Sequence, residues 1–92
     1  MIISEVIAVD DVAEHKPNPH LFLMAAKRLN ISTKYCVVIE DAASGIEAAK
    51  RGHMKSIGYL TKYNTKAELR KADLIIKNFS ELSYQRIKKL FA

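Results

Sequence analysis

Two adjacent acids, Glu40 and Asp41, are the residues of this chain best suited to chemistry. They directly follow the apolar run from Cys36 to Ile39, which is typical of a strand buried on both faces of a sheet. Open parallel sheets bind ligands outside the carboxyl ends of their strands. Because neighbouring side chains of an extended chain point in different directions, one acid can ligate a cation while the other supports it or binds it from another angle. Carboxylate oxygens suit Mg²⁺, so this stretch predicts a magnesium site.

The same two residues also permit a purely structural interpretation. Asp41 would then cap the helix that follows, and Glu40 would be a solvated charge in a loop. This stretch alone leaves both interpretations open.

The composition predicts one domain that covers residues 1–92. Of its residues, 49% are hydrophobic and 27% are charged, which is typical of a globular protein. No apolar run approaches the roughly 20 residues of a membrane span, and the first residues lack the pattern of a signal peptide. The single cysteine, Cys36, cannot form an internal disulfide and fits a reducing cytoplasm. We therefore expect a cytoplasmic protein without a membrane contact.

The net charge of +5 comes from bases that are spread along the chain. A nucleic-acid site requires such bases on one face, interleaved with aromatic side chains. The pattern favours solvated helix faces instead, so we do not expect a nucleic-acid partner. A positive charge still attracts small anionic molecules.

Strand and helix patterns alternate along the chain, which predicts an α/β fold with a parallel sheet. The strands are expected at Val6–Val9, Cys36–Ile39, Met54–Tyr59 and Leu74–Ile76. The helices are expected at Pro19–Leu29, Ser44–Arg51 and Thr65–Lys71, with a last helix capped by Ser80. Asn64 or Thr65 can cap the helix at Thr65–Lys71. The side chains expected to face inward are Phe22, Ala25, Ala26 and Leu29 of the first helix and Tyr84, Ile87, Leu90 and Phe91 of the last.

A lysine stands just ahead of the first helix, in the segment Lys16-Pro17-Asn18-Pro19. Each proline disfavours the helical conformation of the residue before it, so Lys16 is held extended. Asn18 is a suitable N-cap and Pro19 a suitable first helical residue. Lys16 is therefore expected close to a helix N-terminus, where anions are favoured.

Two stretches together resemble one protein family. The residues from His15 to Phe22 resemble the GKPxPxxF signature of the haloacid dehalogenase superfamily, and the alanine pair and leucine that follow it also match. The residues from Cys36 to Met54 resemble its CVVxEDAxxGIxAAxxAGM stretch. The resemblance is to the β-phosphoglucomutase-like phosphatase branch and covers nearly the whole chain.

The resemblance implies a Rossmann-like, three-layer α/β/α fold around a parallel sheet. It also implies Mg²⁺-dependent phosphoryl transfer, by a phosphatase or phosphomutase, on a small phosphorylated metabolite. In the family, an aspartate of an Asp-x-Asp motif attacks the phosphate. The residue matching Lys16 pairs with that nucleophile and with the phosphate. The residues matching Glu40 and Asp41 hold Mg²⁺, Asp41 most directly.

The chain departs from the family pattern because the N-terminal half of that pattern is absent. There is no Asp-x-Asp motif, no Ser/Thr motif and no cap domain, so the chain resembles the C-terminal half of a catalytic core and its own activity is left open. In the family, the two absent strands lie between those matching Val6–Val9 and Cys36–Ile39. We therefore expect an incomplete sheet in which the Cys36–Ile39 strand has an unpaired edge.

An incomplete sheet of this kind predicts a partner chain. The partner is expected to be either the missing N-terminal half or a second copy that associates through exposed strand edges. The alternative function is a non-catalytic half-domain, or subunit, that binds a partner chain.

Overall fold

The computed structural model describes residues 19–91 and, for its backbone, the strand at residues 5–8. The predicted alternation of strands and helices is confirmed within these residues except between the third and fourth strands, where no helix forms, and Val9 of the first predicted strand lies outside them. The strands are β1 (Glu5–Ala8), β2 (Cys36–Glu40), β3 (Lys55–Tyr59) and β4 (Leu74–Ile76), and the helices are α1 (His20–Leu29), α2 (Ala43–Arg51) and α3 (Tyr84–Lys89). None of the helices in these ranges has the length and apolar character needed to span a bilayer.

The four strands form one sheet in the order β1-β2-β3-β4, and all three pairings are parallel. The predicted α/β class and parallel sheet are therefore confirmed. In the parallel register Glu40 lies beside Gly58, so β2 and β3 end at the same edge of the sheet. The loops that follow these two strands consequently lie next to each other.

The expected unpaired edge on the Cys36–Ile39 strand is wrong. Strand β2 pairs with β3 on one side and with β1 on the other, where Val37 lies beside Val6. Backbone N–H and C=O groups that are buried without partners are costly. The four strands satisfy these groups by placing β1 directly against β2, and the open edges of the sheet belong to β1 and β4.

Alternate side chains of β2 contribute to two separate cores. Cys36 and Val38 pack with α1 and α2, whereas Val37 packs on the opposite face with Ile57 and Ile76. The second core is covered by the C-terminal segment that contains α3, through Leu82, Ile87, Leu90 and Phe91. Full burial of an aliphatic side chain contributes roughly 1.5–3 kcal/mol, so β2 is bound firmly from both faces. The three-layer arrangement of the prediction is confirmed.

Helix α1 begins one residue later than expected, with Pro19 as its N-cap residue, while Asn18 and Lys16 lie outside the described residues. Phe22 and Ala26 are buried, as predicted. Leu29 was expected to face inward but is 45% exposed. It stands in the last turn, directly before Asn30, which ends the helix in the left-handed conformation with a φ of 58°.

The helix expected at Thr65–Lys71 is wrong, because residues 66–71 form successive turns. The predicted cap is nevertheless present, since the Thr65 Oγ1 atom accepts a hydrogen bond from the Glu68 N–H at 3.2 Å. Most of these turns are closed by a backbone hydrogen bond between residues three positions apart, such as the bond from the Ala72 N–H to the Leu69 carbonyl. Leu69 is fully buried and packs on β3 at Gly58, so closely that a Cβ atom added at this glycine would contact it. This tertiary contact takes precedence over the local helix preference.

The last helix is capped by Ser83 and not by Ser80. The Ser83 Oγ atom accepts a hydrogen bond from the Arg86 N–H at 3.1 Å, whereas Ser80 lies in a short 3₁₀ helix, Phe79–Glu81. Tyr84 was expected to face inward but is 56% exposed. The other three predicted inward residues, Ile87, Leu90 and Phe91, pack against the core as expected.

Candidate functional site

Glu40, the last residue of β2, turns its carboxylate back into the protein. Its Oε1 atom accepts hydrogen bonds from the N–H groups of Asp41, at 3.1 Å, and Ala42, at 3.3 Å. The residue is only 4% exposed. A carboxylate can be buried when donors surround it, and here it holds the two residues that follow β2 in a fixed turn. Glu40 is therefore not a solvated loop charge.

The space for this carboxylate exists because residue 45 is glycine. A Cβ atom at Gly45 would overlap the carboxyl group of Glu40. The φ angle of Gly45 is not positive, so the absence of a side chain, and not backbone freedom, is what this position requires. The Glu40-Asp41-x-x-x-Gly45 spacing is thus a packing arrangement in which a helix residue makes room for the acid at the strand end.

Asp41, the next residue, is exposed and lies at the carboxyl edge of the sheet. It does not cap α2, because that helix starts from Ala42 without a side-chain cap. Within residues 19–91 its carboxylate accepts no hydrogen bond and joins no ion pair. An exposed carboxylate at this edge has the oxygen chemistry that Mg²⁺ prefers, so the residue fits the ion that the sequence predicts.

Asn64, in the turn after β3, contacts the Asp41 loop directly. Its Nδ2 atom donates hydrogen bonds to the carbonyl oxygens of Asp41, at 2.8 Å, and Tyr59, at 2.9 Å. Its Oδ1 atom accepts a hydrogen bond from the Thr61 N–H at 2.8 Å. Sequence reasoning considered Asn64 only as a possible helix cap. Its position just after a strand parallel to β2 is the signal that could have placed it near Asp41.

The structure thus brings Glu40 and Asp41 together with Asn64 at one edge of the sheet, while Lys16 lies outside the described residues. Among residues 5–8 and 19–91 no group of three or more His, Cys, Asp or Glu side chains could hold a metal ion. A cation bound at this edge would therefore take most of its ligands from water or from outside the described residues, which is acceptable for Mg²⁺ because it keeps several waters.

A cleft of about 290 Å³ lies beside this edge, between α2 and the turns that follow β3. Its lining carries both charges, and Lys71 and Arg51 approach Glu47 at 3.8 Å and 3.1 Å. The cleft is open to solvent, where such pairs contribute little. Its mixed charge does not select an ion of either sign, so we do not assign it to the site.

An open parallel α/β sheet with an exposed acid at the carboxyl end of a central strand defines a class of ligand-binding folds that includes many phosphate-processing enzymes. The profile of one such family, the haloacid dehalogenase-like hydrolases, matches residues 1–59. The chain belongs to this family, as the two sequence signatures predicted.

Individual relatives agree with this assignment. The validoxylamine A 7'-phosphate phosphatase of Streptomyces hygroscopicus subsp. limoneus is 34% identical over 86 residues, which cover 94% of this chain and 40% of that protein. The putative phosphatase YhcW of Bacillus subtilis is 52% identical over 54 residues, which cover 58% of this chain and 24% of that protein. These relatives support a phosphatase-like hydrolase.

The fold is also found among solved structures. The β-phosphoglucomutase of Clostridium difficile superimposes with a TM-score of 0.71 and 36% identity, covering 83% of this chain and 32% of that one. A family IA hydrolase of this type from Entamoeba histolytica gives a TM-score of 0.75 and 31% identity, with coverages of 83% and 35%. The chain therefore spans less than half the length of these relatives.

Proposed function

We propose that these residues supply the C-terminal half of a Mg²⁺-dependent phosphoryl-transfer site that acts on a small phosphorylated metabolite. In this proposal Asp41 is the direct Mg²⁺ ligand and Glu40 supports it. Lys16 pairs with the transferring phosphoryl group. These residues contain no Asp-x-Asp motif. In this proposal the aspartate nucleophile therefore comes from another polypeptide segment.

One observation carries the proposal, namely the contrast between the two adjacent acids. Glu40 is buried and its carboxylate binds backbone N–H groups, whereas the neighbouring Asp41 is exposed and its carboxylate accepts no hydrogen bond within residues 19–91. A fixed loop that presents one uncommitted carboxylate to solvent suits cation binding. When bound, Mg²⁺ would neutralise the charge of the phosphoryl oxygens.

The partial ligand set limits the expected affinity for the metal. With one or two carboxylates and a shell that is otherwise mostly water, we expect a dissociation constant for Mg²⁺ of about 1 mM or weaker. Isothermal calorimetry on the 92-residue chain measures this constant, and micromolar affinity would contradict the expectation. We also place the protein in the cytoplasm, which the single, buried Cys36 supports.

The activity itself is tested by complementation. The 92-residue chain is assayed with p-nitrophenyl phosphate and Mg²⁺, alone and after mixing with an N-terminal segment that carries an Asp-x-Asp motif. We expect no more than trace turnover from the chain alone and clear turnover from the mixture. The turnover of the mixture should disappear with Asp41→Ala or Lys16→Ala and persist with Glu81→Gln, a matched change of a carboxylate outside the site.

Two results would overturn this proposal. One is turnover by the chain alone that Asp41→Ala abolishes, because the chain would then contain its own nucleophile. The other is a mixture that forms a stable complex, as seen by sedimentation, yet hydrolyses no phosphate ester.

A second candidate function is a non-catalytic module that binds a partner chain. The pairing of β2 on both edges favours it, because the four strands make a continuous sheet without a further strand between β1 and β2. In that case a partner associates through the outer edges, β1 or β4, and a second copy of the chain is one such partner. Sedimentation of the chain over a range of concentrations measures self-association, and a monomer at high concentration would exclude the second copy.

A further inference from the structure

The Asn64 carboxamide joins the loops that follow β2 and β3. It donates two hydrogen bonds to backbone carbonyls, one at Asp41 in the loop after β2 and one at Tyr59, the last residue of β3. The bond to Asp41 spans 23 positions of the chain, so it is a tertiary contact and not a local turn. Its third bond, from the Thr61 N–H, fixes Asn64 within its own turn. The Oδ1 atom of Asn64 is therefore bound within its own turn, while its Nδ2 atom binds the backbone of Asp41.

Side chains bind both main-chain polar groups of Asp41. Glu40 accepts the hydrogen bond of its N–H, and Asn64 donates a hydrogen bond to its carbonyl. Asp41 itself is exposed and belongs to no helix or strand. The backbone from which its carboxylate extends is thus held by these two contacts. Glu40 is the predecessor of Asp41 in sequence, so Asn64 is the contact that ties Asp41 to a different strand of the sheet.

We infer that Asn64 is a positioning residue, which orients the Asp41 carboxylate for a divalent cation through the hydrogen bond to the Asp41 carbonyl. The inference rests on the proposed function, because it requires Asp41 to be the ligand. Groups that orient a metal ligand typically affect metal affinity by 10–100-fold when they are removed. We expect the Asn64→Ala chain to bind the cation about 10-fold more weakly than the unsubstituted chain.

Mn²⁺ is the probe, since its unpaired electrons broaden the NMR signals of nearby nuclei. The ¹⁵N-labelled 92-residue chain is titrated with Mn²⁺, and the broadening of the Asp41 and Ala42 amide signals gives the affinity at this site. Asn78→Ala is the matched control. It removes a side chain that accepts a hydrogen bond from the Ser80 N–H at 2.9 Å. This bond lies in the turn after β4, two strands away from Asp41. A structural effect alone would lower the melting temperature of both variants without a change in Mn²⁺ affinity.

A second measurement needs no variant and remains decisive if Asn64→Ala does not fold. Coupling between two sites is reciprocal, so a bond that favours cation binding must itself be strengthened by the cation. In the unsubstituted chain, saturation with Mg²⁺ should slow the solvent exchange of the Asn64 side-chain amide protons several-fold. The side-chain amide protons of Asn78 should exchange at an unchanged rate.

The outcomes separate this inference from the proposed function. If Mn²⁺ produces no localised broadening at Asp41 in the unsubstituted chain, the metal site of the proposed function fails and this inference fails with it. If the broadening is present and equally strong in a folded Asn64→Ala chain, only this inference is wrong. Unchanged exchange of the Asn64 protons in saturating Mg²⁺ would likewise refute it. Weaker broadening in Asn64→Ala, with Asn78→Ala unaffected, is the expected result.

Discussion

Two turns at the same edge of the sheet are built around a glutamate, yet they differ in what they present to solvent. After β2, the Glu40 carboxylate binds the N–H groups of Asp41 and Ala42. After β4, the Glu81 carboxylate binds those of Lys77, at 2.7 Å, and Asn78, at 2.9 Å. In both turns, a carboxylate satisfies backbone donors that the strand leaves behind.

The difference lies in the neighbours. Glu81 is at the surface, and it completes a capping box with Asn78 for a short 3₁₀ helix. Glu40 is buried, and the residue that it holds is another acid, Asp41, which is exposed. A glutamate after a strand can therefore have a purely structural role, which is to accept hydrogen bonds from the backbone N–H groups of the turn. What distinguishes a candidate site is the exposed carboxylate of the residue whose backbone such a glutamate holds.

The largest expected effect is that of Glu40→Ala. The substitution leaves two N–H groups without their charged acceptor and should lower the free energy of unfolding by about 3 kcal/mol. Such a loss is a large share of the roughly 5–15 kcal/mol that stabilises a typical domain. Urea denaturation followed by circular dichroism measures it. Glu81→Ala is the matched control, with a clearly smaller loss because water can replace its carboxylate; equal losses would remove the distinction between the two turns.

Gly45→Ala should come next in size. The added methyl group overlaps the Glu40 carboxyl group, which is buried and cannot move aside without losing its hydrogen bonds. We expect a loss of about 1–3 kcal/mol in the free energy of unfolding. Ser44→Ala, one residue earlier and exposed, is the control and should change stability little. If Gly45→Ala were as stable as Ser44→Ala, the close approach of Glu40 to α2 would be wrong.

The edge where these turns lie could be predicted from sequence because it depends on local patterns. The apolar run from Cys36 to Ile39 and the acids behind it determine where β2 ends. The contact of Asn64 with Asp41 could not be predicted in the same way, because it depends on the register between β2 and β3. The direct pairing of β1 with β2 was missed since the family's sheet order was carried over to a chain without the two intervening strands.

The errors in the helices have a related cause. Two serines, Ser80 and Ser83, could each cap a last helix. Ser80 instead lies in the 3₁₀ helix that Asn78 caps, and the helix that Ser83 caps packs Ile87 on the sheet. The predicted helix after Thr65 has a suitable cap but yields to turns that bury Leu69 against β3. In the first case the cap was assigned to the wrong serine. In the second case the cap was predicted correctly, and the tertiary contact decided the structure.

Asp41→Asn should separate stability from cation binding. The carboxylate is exposed and accepts no hydrogen bond within residues 19–91, so the free energy of unfolding should stay within about 0.5 kcal/mol of the original value. The affinity for Mg²⁺ should fall at least about 10-fold, since the amide has no charge for a hard cation. Calorimetry and urea denaturation of the same samples provide both quantities. If Asp41→Asn lost as much stability as Glu40→Ala, Asp41 would also have a structural role. The assignment of structure to Glu40 and of cation binding to Asp41 would then be wrong.

The smallest expected effect is a dependence of stability on pH that originates at Glu81. The hydrogen bond from the Lys77 N–H holds the pKa of the Glu81 carboxyl group below its ordinary value, with the Asn78 N–H and the charges of Arg86 and Lys77 acting in the same direction. A lowered pKa in the folded state means that the ionised form stabilises the fold. That contribution is complete above the pKa of the unfolded chain, near 4.5, and is lost as the pH falls through the lowered value.

In Glu81→Gln this titration is absent, so the stability difference from the original chain should be greatest at neutral pH and shrink in acid. Glu68→Gln, which removes a carboxylate from an exposed turn, corrects for the change in net charge. Urea denaturation at several pH values measures the difference, which should be small because solvent screens a surface carboxylate. A difference that grows in acid would have the wrong sign for a carboxylate that the turn holds in its ionised form.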